Sequence, residues 1–311
     1  MLVAGTHSGL FFVGSDGVEA VTADGEPTEV RVRDVVSLGD SVLAATDAGL
    51  FWSEDDEFVE VELPSNPISV ATSDDTWYVG TYPLELYRVD PVDCVVEPLA
   101  VSQIPEAKRW NERGIRDDGS AVRTVVTLKN GRIAAGIEVG GVVATDDGGQ
   151  TWEVRNEGLH DDVHHLHTIG CDEWLAATGN GLYRTEDAGR SWSRLDTDFR
   201  DFWFNYFREV GTIGDERFTA ANGWGPKTGA ARIFRITPAK GALEPVDAPT
   251  DGRFPISWAS FDGSLYAGTM VVNDWFEQEA SAPLLVRTSD GEWEVAAKLP
   301  AGITSLATLS K

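Results

Sequence analysis

Thiols are scarce in this sequence: Cys94 and Cys171 are the two cysteines among 311 residues. They make no disulfide framework and no metal-ligand spacing, which points to a reducing compartment. Lysine is scarce too, with 6 Lys against 19 Arg, and there are only 5 histidines. With 51 acidic against 25 basic side chains, the net charge is −26. Such a surface lacks the basic face that a phosphate backbone requires, so nucleic acid is excluded as a general partner, and anionic lipid is repelled. No apolar run reaches the ~18 residues of a membrane-spanning helix. The chain opens without a basic segment and a long apolar stretch, so no secretory leader is expected.

What is present is a foldable core, with 42% hydrophobic residues. Abundant Asp and Glu, few Lys and a still-apolar interior suit a cytoplasm holding molar salt, where repulsion is screened within about 3 Å. A cytoplasmic protein of a halophile is expected, as a monomer.

Internal repetition dominates the sequence. One phrase recurs: small residues, a Thr-like position, a short turn, then Gly and apolar residues. It reads Val3-Ala4-Gly5-Thr6-His7-Ser8-Gly9-Leu10-Phe11 and again Leu43-Ala44-Ala45-Thr46-Asp47-Ala48-Gly49-Leu50-Phe51. Copies follow around Gly80-Thr81, Gly136-Ile137, Ala177-Thr178, Ala221-Asn222 and Gly268-Thr269. A period of roughly 44 residues is that of propeller blades. Each unit reads as four short strands, with an apolar first strand before the phrase and a fourth such as Phe58–Leu63 after it. No long amphipathic helix is visible. The N-terminus starts at a second-strand phrase and Gly302–Leu309 reads as a lone first strand, so the two ends together make one blade. The expectation is a single all-β domain over 1–311: a seven-bladed β-propeller of four-stranded blades, closed by one C-terminal and three N-terminal strands.

Two turns are more specific. Thr145-Asp146-Asp147-Gly148-Gly149-Gln150-Thr151-Trp152 and Thr185-Glu186-Asp187-Ala188-Gly189-Arg190-Ser191-Trp192 share the pattern S/T-x-D-x-G-x-S/T-W, and Thr288–Trp293 is a shortened relative. The Asp suits a turn whose backbone N–H groups need an acceptor, the Gly suits positive φ, and the Trp packs between blades. These turns resemble the Asp-box, or BNR, repeat of sialidases and other glycoside hydrolases, found also in sortilin-type receptors and a photosystem assembly factor. The stretch from Gly136 to His164 is similar to prokaryotic proteins labelled BNR-repeat glycosyl hydrolases. The resemblance implies a propeller whose boxes are structural and lie away from the active face; a fold does not by itself name an activity.

Function is expected where fourth-to-first and second-to-third connections gather, because the long segments fall there. The segment 101–120 carries Lys108, Arg109, Trp110, Arg113 and Arg116; 222–230 carries Trp224 and Lys227; 271–282 carries Asp274, Trp275, Phe276 and Glu277. Trp110, Trp224 and Trp275 are the rings expected to stack on a ligand. Aligned on the repeat, Arg33, Arg123, His164 and Arg208 share one first-strand position, followed by Asp34, Thr124, His165 and Glu209, with Ser69, Ser257 and Ser305 in the other blades. Arg33, Arg123 and Arg208 would clamp a carboxylate or phosphate through planar donor forks. The resemblance implies the same, since sialidases hold a carboxylate with three arginines, but their Arg-Ile-Pro motif is missing and no Tyr–Glu nucleophile pair is assignable. The alternative is arginine held in inter-blade ion pairs.

Four of the five histidines fall between His160 and His167, and His7 lies at a second-to-third turn. His7, His160 and His164, with Glu138, are candidate ligands of a divalent metal, the one cofactor in view. His164 or His165 would otherwise move protons, or form plain inter-blade hydrogen bonds. Among carboxylates, Glu138 and Glu209 are the candidates for acid–base work, Glu138 first because regular blades carry Ser, Ala or Asn there. Two functions follow: an Asp-box propeller that binds, and as a hydrolase cleaves, a small anionic or sugar-like ligand; or a non-catalytic scaffold whose aromatic and arginine-rich loops dock a protein.

Overall fold

The computed structural model describes residues 1–21, 30–54, 57–73, 76–113, 119–198, 204–223, 230–237, 242–271 and 281–309. The repeat folds as the periodicity predicts, into seven four-stranded antiparallel sheets, the blades of a seven-bladed β-propeller. Blade 1 joins Ile303–Thr308 to Leu2–Thr6, Gly9–Gly14 and Gly17–Ala20, so the closing blade takes one strand from the C-terminus and three from the N-terminus. Among the described residues no helix is long and apolar enough to cross a membrane. The longest is Ala107–Arg113, a short helix in the 101–120 segment that the sequence pattern does not announce.

Two compact units are distinguished, Met1–Glu60 with Asp196–Lys311, and Val61–Leu195. Numbered in chain order, blade 2 (32–61, all but its last residue), blade 6 (204–246) and blade 7 (253–299) lie with blade 1 in the first; blades 3 (66–98), 4 (121–154) and 5 (163–194) lie in the second. In each, the core lies in apolar layers between facing sheets. Between blades 4 and 5 the layer contains Val142, Val163, Leu166, Trp174 and Trp192; between blades 6 and 7 it contains Phe218, Ile233, Phe254, Trp258 and Trp293.

Small residues in the phrase are required by close blade approach. A Cβ at Gly5 would lie 2.6 Å from Val32 Cγ1, and one at Gly136 would lie 2.6 Å from Val163 Cγ1. The following Thr closes the turn: Thr6, Thr46 and Thr178 each donate to the carbonyl three residues on, at 2.9 Å, and accept a backbone N–H from the turn.

Candidate functional site

First strands carry the expected functional positions, and their register explains why. In blades 1, 2, 3, 4, 5 and 7 the first strand bulges by one residue opposite the phrase, at Thr304, Arg33, Ile68, Arg123, His164 and Ile256 respectively. A bulge leaves its residue outside the ladder and re-aims its side chain. Arg33, Arg123 and His164 therefore do occupy one equivalent position. Arg208 does not. In blade 6 the register breaks at Asn205 and again at Arg208–Glu209, so Phe207 faces Ala221 where the alignment put Glu209. Arg208 is buried, and Glu209 gives its backbone carbonyl to Thr219 Oγ1 at 2.7 Å.

The position after the bulge joins neighbouring blades. Ser305 Oγ accepts the Val35 N–H at 3.1 Å and donates to Asp34 Oδ1 at 2.9 Å; Ser69 Oγ donates to the Val122 carbonyl at 2.9 Å; Thr124 Oγ1 accepts the Leu166 N–H at 3.4 Å. His165 holds this position in blade 5, half-buried, its ring centroid 6.3 Å from that of His167 on the same strand face.

A carboxylate stands beside each arginine or histidine at these bulges. Arg33 Nε lies 2.6 Å from Asp47 Oδ1, and Arg123 Nε lies 3.5 Å from Glu138 Oε2. Asp47 and Glu138 are equivalent residues, each following the closing position of the phrase. Blade 5 has Gly179 there, and its carboxylate comes from Asp162, whose Oδ1 lies 3.5 Å from His164 Nε2. Gly179 makes this arrangement feasible: a Cβ on it would lie 2.0 Å from Asp162 Oδ2.

Blades 4 and 5 thereby bring together Arg123, Glu138, Asp162 and His164. One ligating atom each from Glu138, Asp162 and His164 falls within 4.8 Å of the others. The His164 side chain is 1% exposed, while those of Glu138 and Asp162 keep 15% and 17%, so the imidazole is buried and the carboxylates are partly exposed. Backbone bonds tie together the segments that carry both carboxylates. The Asp161 carbonyl accepts the N–H groups of Gly140 and Gly141 at 2.7 and 2.9 Å, and the Asp162 carbonyl accepts that of Gly179 at 2.9 Å. Ser120 Oγ is within 2.9 Å of the carbonyls of Trp110 and Val139, tying the 101–120 segment to the residue after Glu138.

Of the expected metal ligands, His164 and Glu138 belong to this group. His160 Nδ1 accepts the Asp162 N–H at 3.3 Å and so shapes the turn. His7 is buried in blade 1, in the other unit, where its N–H donates to the Gly302 carbonyl at 3.0 Å. Trp110 is 8% exposed and packs with Leu84, Val122 and Ile137, so its ring is a core element. Arg33 and Arg208 lie in the first unit. Trp224 and Trp275 lie outside the described residues, as do most of 271–282 and Arg116. Asp162 was missed by sequence reasoning; the absence of a side chain at position 179 was the signal for it.

The two repeated turns share one hydrogen-bond pattern. Thr145 and Thr185 donate to Asp147 and Asp187 at 2.6 and 2.7 Å, and accept the N–H of Gly149 and Gly189. Each Asp also accepts the hydroxyl and backbone N–H of Thr151 or Ser191. These bonds, first that from the Thr145 hydroxyl to Asp147 and that from the Ser191 hydroxyl to Asp187, hold both carboxyls down at about 2. The tryptophans tie blades together: Trp152 Nε1 donates to the Leu99 carbonyl at 2.8 Å and Trp192 Nε1 to the Arg155 carbonyl at 2.9 Å.

No family model matches the chain, and no curated protein is similar to it in sequence. Solved structures are similar in fold. YCF48, in a structure described as bound to D1 peptide, matches with a TM-score of 0.64 at 13% identity, over 92% of this chain and 95% of that one. The propeller domain of Doa1 matches with 0.62 at 12% identity, over 97% and 90%. An ancestral GH74 enzyme matches with 0.60 at 13% identity over 95% of this chain, which spans only 40% of that enzyme. These likenesses fix the fold and nothing finer.

Proposed function

We propose that this propeller binds a small polar ligand, sugar-like or anionic, at Arg123, Glu138, Asp162 and His164. What carries this is the meeting of one guanidinium, two partly exposed carboxylates and a buried imidazole, with Glu138 3.5 Å from Arg123 and Asp162 3.5 Å from His164. The chemistry suits such a ligand: carboxylates accept hydroxyl groups, and a guanidinium fork takes an anionic oxygen. A fold alone names no activity, and the likeness to the GH74 enzyme is one of fold at 13% identity. Binding is therefore proposed ahead of glycosidic hydrolysis. The three-arginine clamp is replaced by one arginine among acceptors, since Arg33 already holds Asp47 at 2.6 Å. Cys94 and Cys171, both exposed free thiols, suit the reducing, salt-rich cytoplasm we propose.

The test is a thermal-shift panel of sugar acids, sugar phosphates and neutral oligosaccharides, run in molar KCl with divalent metals and, separately, with chelator. A ligand at 100 times its Kd adds about 2.7 kcal/mol of stability. The expected result is a response to one class, lost in Arg123→Ala. The rival is a protein-docking propeller, supported by the near-complete mutual coverage with YCF48, whose structure holds a peptide. A flat panel together with capture of a peptide partner would replace the small-ligand proposal with that one.

A further inference from the structure

We infer that Glu138, Asp162 and His164 bind one divalent transition cation, of Zn²⁺ type, and that the cation is the means by which this cluster takes a polar ligand; the second half rests on the cluster being the ligand site proposed above. One imidazole nitrogen and two carboxylate oxygens, all within 4.8 Å, form a mixed donor set. A tetrahedral ion with bonds of about 2.0–2.2 Å sets its donors roughly 3.3–3.6 Å apart. The 3.5 Å between His164 Nε2 and Asp162 Oδ1 is already such an edge. Glu138, partly exposed, closes the remaining distance by side-chain rotation.

The chemistry selects the ion. A buried imidazole favours Zn²⁺, Co²⁺ or Ni²⁺ over Ca²⁺ and Mg²⁺, which prefer oxygen alone. Packing fixes the ring, with the His164 side chain 1% exposed, so ordering it on binding costs little. Arg123 beside Glu138 Oε2 acts as an outer partner that orients the carboxylate. Three protein donors leave a position for water or a ligand oxygen. The acidic residues Asp146 and Asp172, by contrast, are held by Arg132, with Arg155 also on Asp146. Among the described residues, the Glu138 group is the one trio of such donors that meets within this distance.

The experiment is calorimetric titration of the chelator-treated full chain with Zn²⁺, in molar KCl with excess Mg²⁺ to saturate surface carboxylates. One Zn²⁺ per chain is expected, weakened at least ~10-fold in Glu138→Gln and in Asp162→Asn, the loss typical of even an outer partner. Co²⁺ in place of Zn²⁺ should give visible absorption that disappears in His164→Gln. The two carboxylate variants are isosteric, so the test survives if the buried histidine variant fails to fold. Absence of Zn²⁺ binding, or binding unchanged in both carboxylate variants, overturns the metal site. A sugar-acid response that persists undiminished in chelator also removes the cation's role while leaving the proposed ligand site. Zn²⁺ binding with every organic ligand silent, with and without metal, keeps the metal site and removes the ligand proposal.

Discussion

Gly179 is the residue on which the cluster depends. Its missing side chain gives room to Asp162, and a Cβ would sit 2.0 Å from that carboxylate. Gly179→Ala should therefore leave the blade folded but weaken Zn²⁺ or ligand binding at least tenfold, about 1.4 kcal/mol, by calorimetry. Undiminished affinity would separate Asp162 from the site. The arginine and histidine of this cluster were legible in the sequence because the repeat aligned them. Asp162 was not, because it reaches the site from outside the aligned position, and Arg208 was misplaced by a shift of bulge that no residue pattern marks. Asp147 and Asp187 belong to the same scale. Their carboxyls lie at about 2 in the fold against an ordinary 3.8, so ionisation favours the folded chain above pH ~4, and that contribution is lost as pH falls toward 2. Melting temperature followed from pH 5 to 2 should fall less steeply, across about pH 4 to 2, in Asp147→Asn and Asp187→Asn than in the parent. Identical slopes would assign acid sensitivity to other groups.

At the scale of strands and turns, the repeated box joins one blade to the next. The Arg155 side chain, 2% exposed, bonds Asp146 and Glu153 at 2.9 Å and the Ala188 carbonyl at 2.8 Å, while its own carbonyl receives Trp192 Nε1. Arg155→Met would leave the buried Ala188 carbonyl unpaired. The expected cost is about 1–3 kcal/mol, read from denaturant midpoints at unchanged slope. A variant as stable as the parent would show that this inter-blade bond is dispensable. Strand number, blade order and the closing pair of ends were all readable, because the phrase repeats wherever a second strand needs small residues against a neighbour. The bulges were not readable as such: a one-residue insertion changes no hydrophobic period, and only pairing reveals it. The helix Ala107–Arg113 was also hidden, since seven residues with Ala107 and Trp110 as its buried face give too short a pattern.

Over the whole molecule, a charge of −26 acts on every element at once. Raising KCl from about 0.1 to 1 M shortens the screening length from about 10 to 3 Å, which relieves carboxylate repulsion in the compact state. Melting temperature should rise across that range, and a fall would contradict the expectation of a fold suited to high salt. Seven blades place many carboxylates and arginines in similar settings, so the central claim is about location: one cluster, in blades 4 and 5, takes the ligand. With only 5 histidines, the imidazole ¹H–¹⁵N correlation spectrum of the labelled protein can be assigned ring by ring. That spectrum, recorded while Zn²⁺ and then the responding ligand class are added in molar KCl, tests the claim most directly. The account predicts that the His164 resonances shift first and furthest, with His7 unmoved. Saturable binding that leaves His164 in place would contradict it.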